Sequence, residues 1–114
     1  MSRTIFEKII AGEIPAETVY EDDQVFAFKD ANPVAPTHIL IIPRKPIPRI
    51  AEADSDDHSL LGHLMLKAAA VARSVGLEEN GYRLVINNGR NGGESVPHLH
   101  CHILGDRPMK WPPG

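Results

Sequence analysis

The sequence predicts an α+β fold, in which one long helix packs on an antiparallel sheet. Residues 56–75 repeat apolar side chains at helical spacing, and short β-branched or aromatic runs bounded by turn residues lie on both sides of them. The 114 residues, of which 42% are hydrophobic, are enough for one core of limited size. We therefore expect a single domain over residues 1–114.

The elements around the long helix follow from local composition. A short amphipathic helix is predicted over residues 4–11, with Ile5, Phe6 and Ile9 on its inner side and Gly12 at its end. Prolines that follow the third strand and acidic residues between the first two mark turns. The five runs of strand composition are residues 19–20, 25–29, 38–42, 82–87 and 98–105.

The long helix is predicted to begin after Ser55, a favourable N-cap residue, and to end near Gly76. His58 and His63 lie on this helix, where we expect them in solvent or at a rim, without a chemical role. The apolar residues that share one face of the helix form its buried stripe: Leu60, Leu61, Leu64, Ala68, Val71, Ala72 and Val75.

Three histidines at alternate positions of one apolar run, His98, His100 and His102, are the most unusual feature of the chain. An extended strand sends alternate side chains to opposite faces, so the three imidazoles would share one face. Such a row suits metal ligation or histidine-based catalysis, because each ring titrates near neutral pH. The alternative, satisfied core histidines, is usual for a single residue but seldom produces three in strict alternation.

Geometry argues against one metal ion bound by the whole row. Strand residues four apart are separated by roughly 13 Å, whereas zinc holds its nitrogen ligands at about 2.0–2.1 Å. His100 with either neighbouring histidine could hold a metal as a pair, with a third ligand such as His38, while Cys101 would point to the other face. We therefore expect no required metal or other cofactor, and only adventitious zinc.

A loop rich in glycine and asparagine, residues 87–95, precedes the histidine run. Glycine lets the backbone approach a ligand, and successive N–H groups can surround an anion. Ser95 adds a hydroxyl group. The loop does not match the Walker pattern, so alone it indicates a plain hairpin loop, but its place before the histidines favours a phosphate-binding loop.

The chain resembles the histidine triad superfamily, whose signature is His-x-His-x-His-x-x with apolar x. The signature stands here at residues 98–104, and residues 4–16, 35–43 and 93–96 are also similar to the family. The ending at residues 111–114, Trp-Pro-Pro-Gly, is similar to the Hint branch of purine nucleoside phosphoramidases.

The resemblance implies an architecture. It comprises a five-stranded antiparallel sheet, one long and one short helix, and a two-fold homodimer. The long helix and the strand at residues 82–87 would contact their mates across the two-fold axis. The C-terminal tail, residues 107–114, would lie near the active site of the partner, where Trp111 would meet the leaving-group side of the substrate.

The resemblance also implies a reaction. It is hydrolysis of the P–N bond of purine nucleoside 5′-phosphoramidates, derivatives of AMP or GMP, through a nucleotidyl-histidine intermediate. His100 matches the nucleophile, and His98 matches the ring that orients the triad. His102 and Ser95 match phosphate contacts, and His38 matches a fourth histidine near the phosphate and leaving group.

A nucleotide pocket is carried over in the same way. Asp30 matches the carboxylate that accepts the ribose hydroxyls, and Asn87 and Gly93 match further positions that line the site. The apolar residues that match the purine pocket are Ile5, Phe6, Ile9, Phe28 and Ala31. From composition alone, these apolar residues would be assigned to the core.

Four residues depart from the pattern of the branch. Glu94 stands where glutamine is usual, and its carboxylate would repel a phosphate unless it turned outward or paired with Arg90. Asp106, Lys29 and Pro97 replace a usual glycine, histidine and aromatic residue. Substrate selectivity is therefore less well determined than reaction type.

Composition narrows the remaining possibilities. The net charge of −3 favours no nucleic-acid partner, and no run approaches the roughly 20 apolar residues of a membrane span. The single cysteine suits a reducing cytoplasm. Two other functions stay open: hydrolysis of dinucleoside polyphosphates, as in the sister branch, and a non-enzymatic nucleotide- or zinc-binding role.

Overall fold

The fold is a five-stranded antiparallel sheet with the strand order β1-β2-β3-β5-β4. The computed structural model describes residues 3–114, so residues 1 and 2 of the predicted domain lie outside the described residues. The strands are β1 (Thr18–Glu21), β2 (Val25–Lys29), β3 (Thr37–Pro43), β4 (Tyr82–Val85) and β5 (Cys101–Gly105). The predicted α+β fold and its five strands are confirmed.

Three helices accompany the sheet in the described part of the chain: α1 (Ile5–Ile10), α2 (His58–Ser74) and α3 (Gly89–Gly92). The predicted loop over residues 87–95 contains one short helix, α3, so the assignment of this stretch to loop alone is corrected there. Four residues are too few to show helical periodicity, so the sequence carries no signal for α3. No helix among residues 3–114 is long and apolar enough to cross a membrane.

A capping box stabilises the N-terminus of helix α1. The hydroxyl of Thr4 accepts the Glu7 N–H (3.2 Å), and the Glu7 carboxylate accepts the Thr4 N–H (3.0 Å). Phe6 and Ile9 are buried against the sheet as predicted, whereas Ile5 is 49% exposed. The expectation that Ile5 faces the core is therefore wrong, because Phe6 covers the centre of the helix–sheet contact and Ile5 is left at its rim.

Helix α2 begins two residues later than predicted, after a 3-10 turn at Ser55–Asp57. The predicted Ser55 N-cap is wrong, because the Asp54 carboxylate caps the turn by accepting the Asp56 N–H at 2.9 Å. Asp57, only 3% exposed, accepts from Lys45 Nζ at 2.7 Å. Its buried charge is therefore paired.

The sheet separates two apolar layers. One layer lies under α2 and includes Ile39, Ile41 and Ile103. The other lies under α1 and includes Phe28 and Leu40. Alternate residues of β2 and β3 therefore serve different layers, as the two-residue period of a strand requires.

The histidine run is only partly a strand. β5 begins at Cys101, so the predicted strand over residues 98–105 is three residues too long. The His98 N–H donates to the Val96 carbonyl (2.8 Å), and the Leu99 N–H donates to the Ile47 carbonyl (2.7 Å). These bonds lie outside the sheet ladder, yet the side chains still alternate between the two layers.

Gly105 is required by a close approach of Leu77, which follows α2 and is 1% exposed. A Cβ at residue 105 would lie 2.4 Å from the Leu77 Cδ2 atom. We expect Gly105→Ala to lower the free energy of unfolding by about 1–3 kcal/mol through overpacking. Urea denaturation of the variant measures this change.

Gly62 provides a matched control, because it lies in α2 with open space where its Cβ would be. We expect Gly62→Ala to raise the free energy of unfolding by up to about 1 kcal/mol, since alanine is the better helix former. A Gly105→Ala variant as stable as the wild type would contradict the assigned contact.

Candidate active site

Four histidines converge on the α1 side of the sheet. In the β3–β5 pairing, His102 lies opposite Leu40, so His38 is its diagonal neighbour on the same face. The His38 Nε2 and His102 Nδ1 atoms are 2.9 Å apart. The rings of His100 and His102 have centroids 5.0 Å apart.

The proton on His100 can be assigned from its partner. His100 Nδ1 lies 2.7 Å from the His98 carbonyl oxygen, which only accepts hydrogen bonds. Nδ1 therefore carries the proton, and Nε2 of the neutral ring keeps a free lone pair. His100 is 4% exposed, and the ring of Phe6 packs edge-on against it with centroids 5.0 Å apart. This tautomer is the one that a nucleophilic Nε2 requires.

The same reasoning orders His38 and His102. The Val34 N–H donates to His38 Nδ1 at 3.1 Å, so the proton of neutral His38 is on Nε2. His38 Nε2–H then donates to His102 Nδ1, while an Asp30 carboxylate oxygen lies 3.4 Å from the same nitrogen. His102 therefore keeps its proton on Nε2, where it is a hydrogen-bond donor.

His98 is fixed to the neighbouring strand. Its Nε2–H donates to the Pro43 carbonyl at the end of β3, at 2.7 Å. Its Nδ1 atom has no hydrogen-bond partner among the described residues, and the side chain is fully buried. His98 thus contributes to the site through its backbone carbonyl, which accepts a hydrogen bond from His100.

Burial disfavours the charged form of His38, His98 and His102. Desolvation lowers the pKa of His38, although the nearby Asp30 carboxylate opposes the change. Desolvation also lowers the pKa of His98. The pKa of His102 falls to about 4, chiefly through burial and further through the charges of His100 and His38. At neutral pH the hydrogen-bond directions assigned above to His38, His98 and His102 therefore hold for uncharged rings.

A cavity of about 290 Å³ lies between α1 and the histidine run. Asp30 and Ser95 form polar parts of its wall next to His100 and His102. The predicted apolar residues that line it are Ile5, Phe6, Ile9, Phe28 and Ala31. A larger cavity of about 410 Å³ is lined by residues 80–81 and 106–108 and contains no histidine.

Some predicted residues do not line the 290 Å³ cavity, and some lining residues were not predicted. Neither His38 nor His98 lines it, and the remaining predicted residues outside it are Asn87, Gly93 and Trp111. The additional lining residues are Asn32, Leu40 and Val96. Leu40 had a usable signal, because it lies two residues after His38 in a strand and so shares its face.

Asp30, His38 and His102 place three possible ligand atoms within 4.8 Å of one another. Two histidines and one carboxylate form a donor set suited to zinc or another transition metal. However, the Val34 N–H occupies His38 Nδ1, so the proton of His38 lies on Nε2, the atom that would have to bind the metal. Ligation would need this proton to move to Nδ1, which would break the bond from the Val34 N–H.

The glycine-rich loop, residues 87–95, carries Glu94 turned away from the cavity. Of the two predicted alternatives the outward turn is found, and the Glu94 carboxylate binds Arg49, with the closest N–O distance at 2.8 Å, rather than Arg90. Two other residues that depart from the pattern of the branch have partners of their own. Lys29 pairs with Glu17 at 2.8 Å, and Asp106 accepts a hydrogen bond from the Thr37 hydroxyl. Pro97 is exposed, and nothing in the structure explains it.

Comparison with known proteins identifies the family of this site. The model of the HIT domain matches residues 11–109. The chain belongs to the HIT family. An uncharacterized HIT-like protein of Synechocystis is 60% identical over 111 residues, which cover 97% of this chain and 96% of that protein.

Solved HIT structures share the whole fold. A HIT family hydrolase from Legionella pneumophila superposes with a TM-score of 0.95 at 49% identity, covering 98% of this chain and all of that one. A histidine triad nucleotide-binding protein from Candida albicans gives a TM-score of 0.83 at 30% identity, covering 96% of this chain and 83% of that one. The predicted superfamily is therefore confirmed, and this HIT protein is hydrolase-like.

The C-terminal tail of the HIT protein is anchored to the sheet, but its tryptophan is exposed to solvent. The Arg83 guanidinium donates to the Lys110 carbonyl at 2.9 Å, which ties the tail to β4. Trp111 is 82% exposed in the single chain. The predicted place of Trp111 near a partner's active site therefore stays a prediction.

The neutral, buried histidines make the stability of the fold sensitive to mild acid. In the unfolded chain histidine takes up a proton near pH 6.5, whereas in the folded chain the pKa of His102 is about 4. The stabilising contribution of neutral His102 is thus fully present above the pKa of the unfolded chain. It is lost as the pH falls toward the pKa of the folded chain. We expect the free energy of unfolding to fall over this range by up to about 1.4 kcal/mol per pH unit for His102.

Urea denaturation at a series of pH values measures this dependence. His102→Asn should make it less steep, whereas His58→Asn, which changes an exposed histidine, should leave it as in the wild type. Identical pH dependences for the wild type and His102→Asn would contradict the assigned neutral state.

Proposed function

We propose that this HIT protein hydrolyses purine nucleoside 5′-phosphoramidates, cleaving the P–N bond through a nucleotidyl group on His100. The observation that supports this most directly is the bond from His100 Nδ1–H to the His98 carbonyl (2.7 Å). It leaves an unprotonated Nε2 on a ring that lines a cavity of nucleoside size. A neutral imidazole in this tautomer is a suitable nucleophile for phosphorus.

The proposed reaction has two steps. His100 Nε2 attacks phosphorus, a P–Nε2 bond forms, the P–N bond of the substrate breaks, and the amine departs after gaining a proton. Water then attacks phosphorus, which releases the nucleoside monophosphate and restores the neutral ring. The His102 Nε2–H and the Ser95 hydroxyl would donate to the phosphate oxygens, where charge develops.

The nucleotide would occupy the cavity with its base on the α1 side. Phe6 and Phe28 pack edge-to-face with centroids 5.6 Å apart and offer apolar surface to a purine. Asp30 offers a carboxylate to the ribose hydroxyls. The name of the Candida relative, a nucleotide-binding protein, supports a nucleotide as the ligand class.

We propose that the protein acts as a two-fold homodimer. β4 is an edge strand of the sheet, and such an edge offers unpaired backbone groups to a second copy. Leu66 on α2 is 74% exposed and Met65 is 40% exposed, which adds apolar surface. Because the tail is tied to β4, Trp111 would come close to the partner, where we propose that it contacts the leaving group.

The reaction is tested by turnover of an adenosine 5′-phosphoramidate and of a diadenosine polyphosphate, each in chelator-treated buffer. We expect faster turnover of the phosphoramidate, no loss on chelation, and a nucleotidyl group trapped on His100 after a rapid acid-free quench. His100→Ala should lower kcat by at least about 10³-fold, because covalent catalysis is lost.

His58→Ala is the matched control, since His58 is exposed on α2 and far from the run in sequence. It should turn over phosphoramidate as the wild type does. Preference for the polyphosphate would instead support the sister activity, and His100→Ala with wild-type kcat would exclude the proposed nucleophile.

The ribose contact is tested with Asp30→Asn. One Asp30 oxygen accepts the Asn32 N–H at 2.8 Å, a bond that the asparagine oxygen can still make. We expect Asp30→Asn to weaken AMP binding more than 2′-deoxy-AMP binding, because a hydrogen bond to a charged group contributes about 1.5–3 kcal/mol. Calorimetric titration measures both affinities, and equal weakening for the two sugars would remove Asp30 from this role.

A further inference from the structure

The ion pair of Arg49 and Glu94 lies outside the cavity wall but is built into the loop that carries Ser95. Glu94 Oε1 accepts from Arg49 Nε at 2.8 Å, and Oε2 accepts from a terminal guanidinium nitrogen at 3.0 Å. The Glu94 side chain is only 12% exposed, and that of Arg49 is 30% exposed. Two parallel bonds give this pair a defined geometry, unlike most surface ion pairs.

The same carboxylate also closes the loop on itself. Glu94 Oε1 accepts the Gly89 N–H at 2.9 Å, and the Glu94 N–H donates to the Gly89 carbonyl at 3.1 Å. These bonds join the first residue of α3 to the residue just before Ser95. Gly89 has a φ of +76°, a backbone conformation that glycine adopts readily.

The segment that carries Arg49 braces the loop at two further points. The Ala51 N–H donates to the Asn88 side chain at 2.9 Å, and the Leu99 N–H donates to the Ile47 carbonyl at 2.7 Å. Contacts near both ends of the loop and just after it thus come from one short segment, residues 47–51. The position of Ser95 beside the histidines therefore depends on a part of the chain about 45 residues away.

We propose that Glu94, held by Arg49, is a positioning residue that fixes the loop and its Ser95 hydroxyl for contact with the substrate phosphate. The proposal rests on the proposed function for the identity of the substrate. The pair binds no substrate itself, because Ser95 lines the cavity and Glu94 does not. Arg49 and the Gly89 N–H lower the pKa of Glu94 to about 2, so the pair stays charged at any pH suitable for assay.

The proposal is tested with Glu94→Met and Arg49→Met, which keep the approximate side-chain length and remove the charge and the hydrogen bonds of each residue. We expect either change to lower kcat/KM for adenosine 5′-phosphoramidate by about 10- to 100-fold, mostly in kcat, because small displacements of phosphate contacts act on the transition state. Arg49→Lys should be intermediate, since one ammonium cannot make both bonds. The double variant should be no worse than the worse single variant, because the two residues act as one unit.

Glu52→Gln is the matched control. Glu52 also pairs with Arg49, but it is half exposed and forms no hydrogen bond or ion pair with the loop among the described residues, so the kinetics of Glu52→Gln should match the wild type. Glu94→Met with wild-type kcat and KM, or with a reduced Tm alone, would overturn the positioning role.

Two readouts keep this proposal separate from the proposed reaction. Hydrogen exchange of the Gly89 amide and calorimetric affinity for AMP need no turnover. If the wild type cleaves no phosphoramidate, the proposed function fails, yet faster Gly89 exchange and weaker AMP binding in Glu94→Met would still support the positioning role. Unchanged exchange and unchanged AMP affinity would overturn it.

Discussion

One hydrogen bond, from His100 Nδ1 to the His98 carbonyl, determines which nitrogen of the central histidine can react. The structure secures that carbonyl from two sides. His98 is anchored by its ring to the Pro43 carbonyl, and the next residue, Leu99, is anchored by its N–H to Ile47. Both anchors exist because residues 98–100 lie outside the sheet ladder, where backbone and side-chain groups can find partners other than strand neighbours.

The histidines form an ordered series of donors rather than a symmetric cluster. From the Val34 N–H through His38 to His102, each ring accepts at Nδ1 and carries its proton on Nε2. The histidine run also carries an energetic cost, because the buried His98 Nδ1 has no hydrogen-bond partner among the described residues. An unsatisfied buried group destabilises a fold by about 1–3 kcal/mol, which is consistent with an arrangement that serves chemistry rather than stability.

The sequence predicted the fold well in segments long enough to show a periodic pattern of apolar residues. The β-branched run of β3 and the apolar stripe of α2 both appear in the structure, but the Ser55 cap does not, because Asp54 competes with it one residue earlier. The row of histidines pointed to a site, and the roles of its residues came from family resemblance. The pairing of Glu94 with Arg49 could not be predicted from the sequence, because no local pattern links residues that lie 45 positions apart.

The division of the sheet into two layers also divides the chain's tolerance of substitution. The residues of the α2-side layer, such as Ile41 and Leu64, include none of those that line the 290 Å³ cavity. Volume-conserving changes in that layer at positions other than Ile47 and Leu99 alter packing on the face of the sheet opposite the cavity. A designer can therefore raise heat resistance and alter substrate preference in this protein with two separate sets of positions, combined with little interference between them.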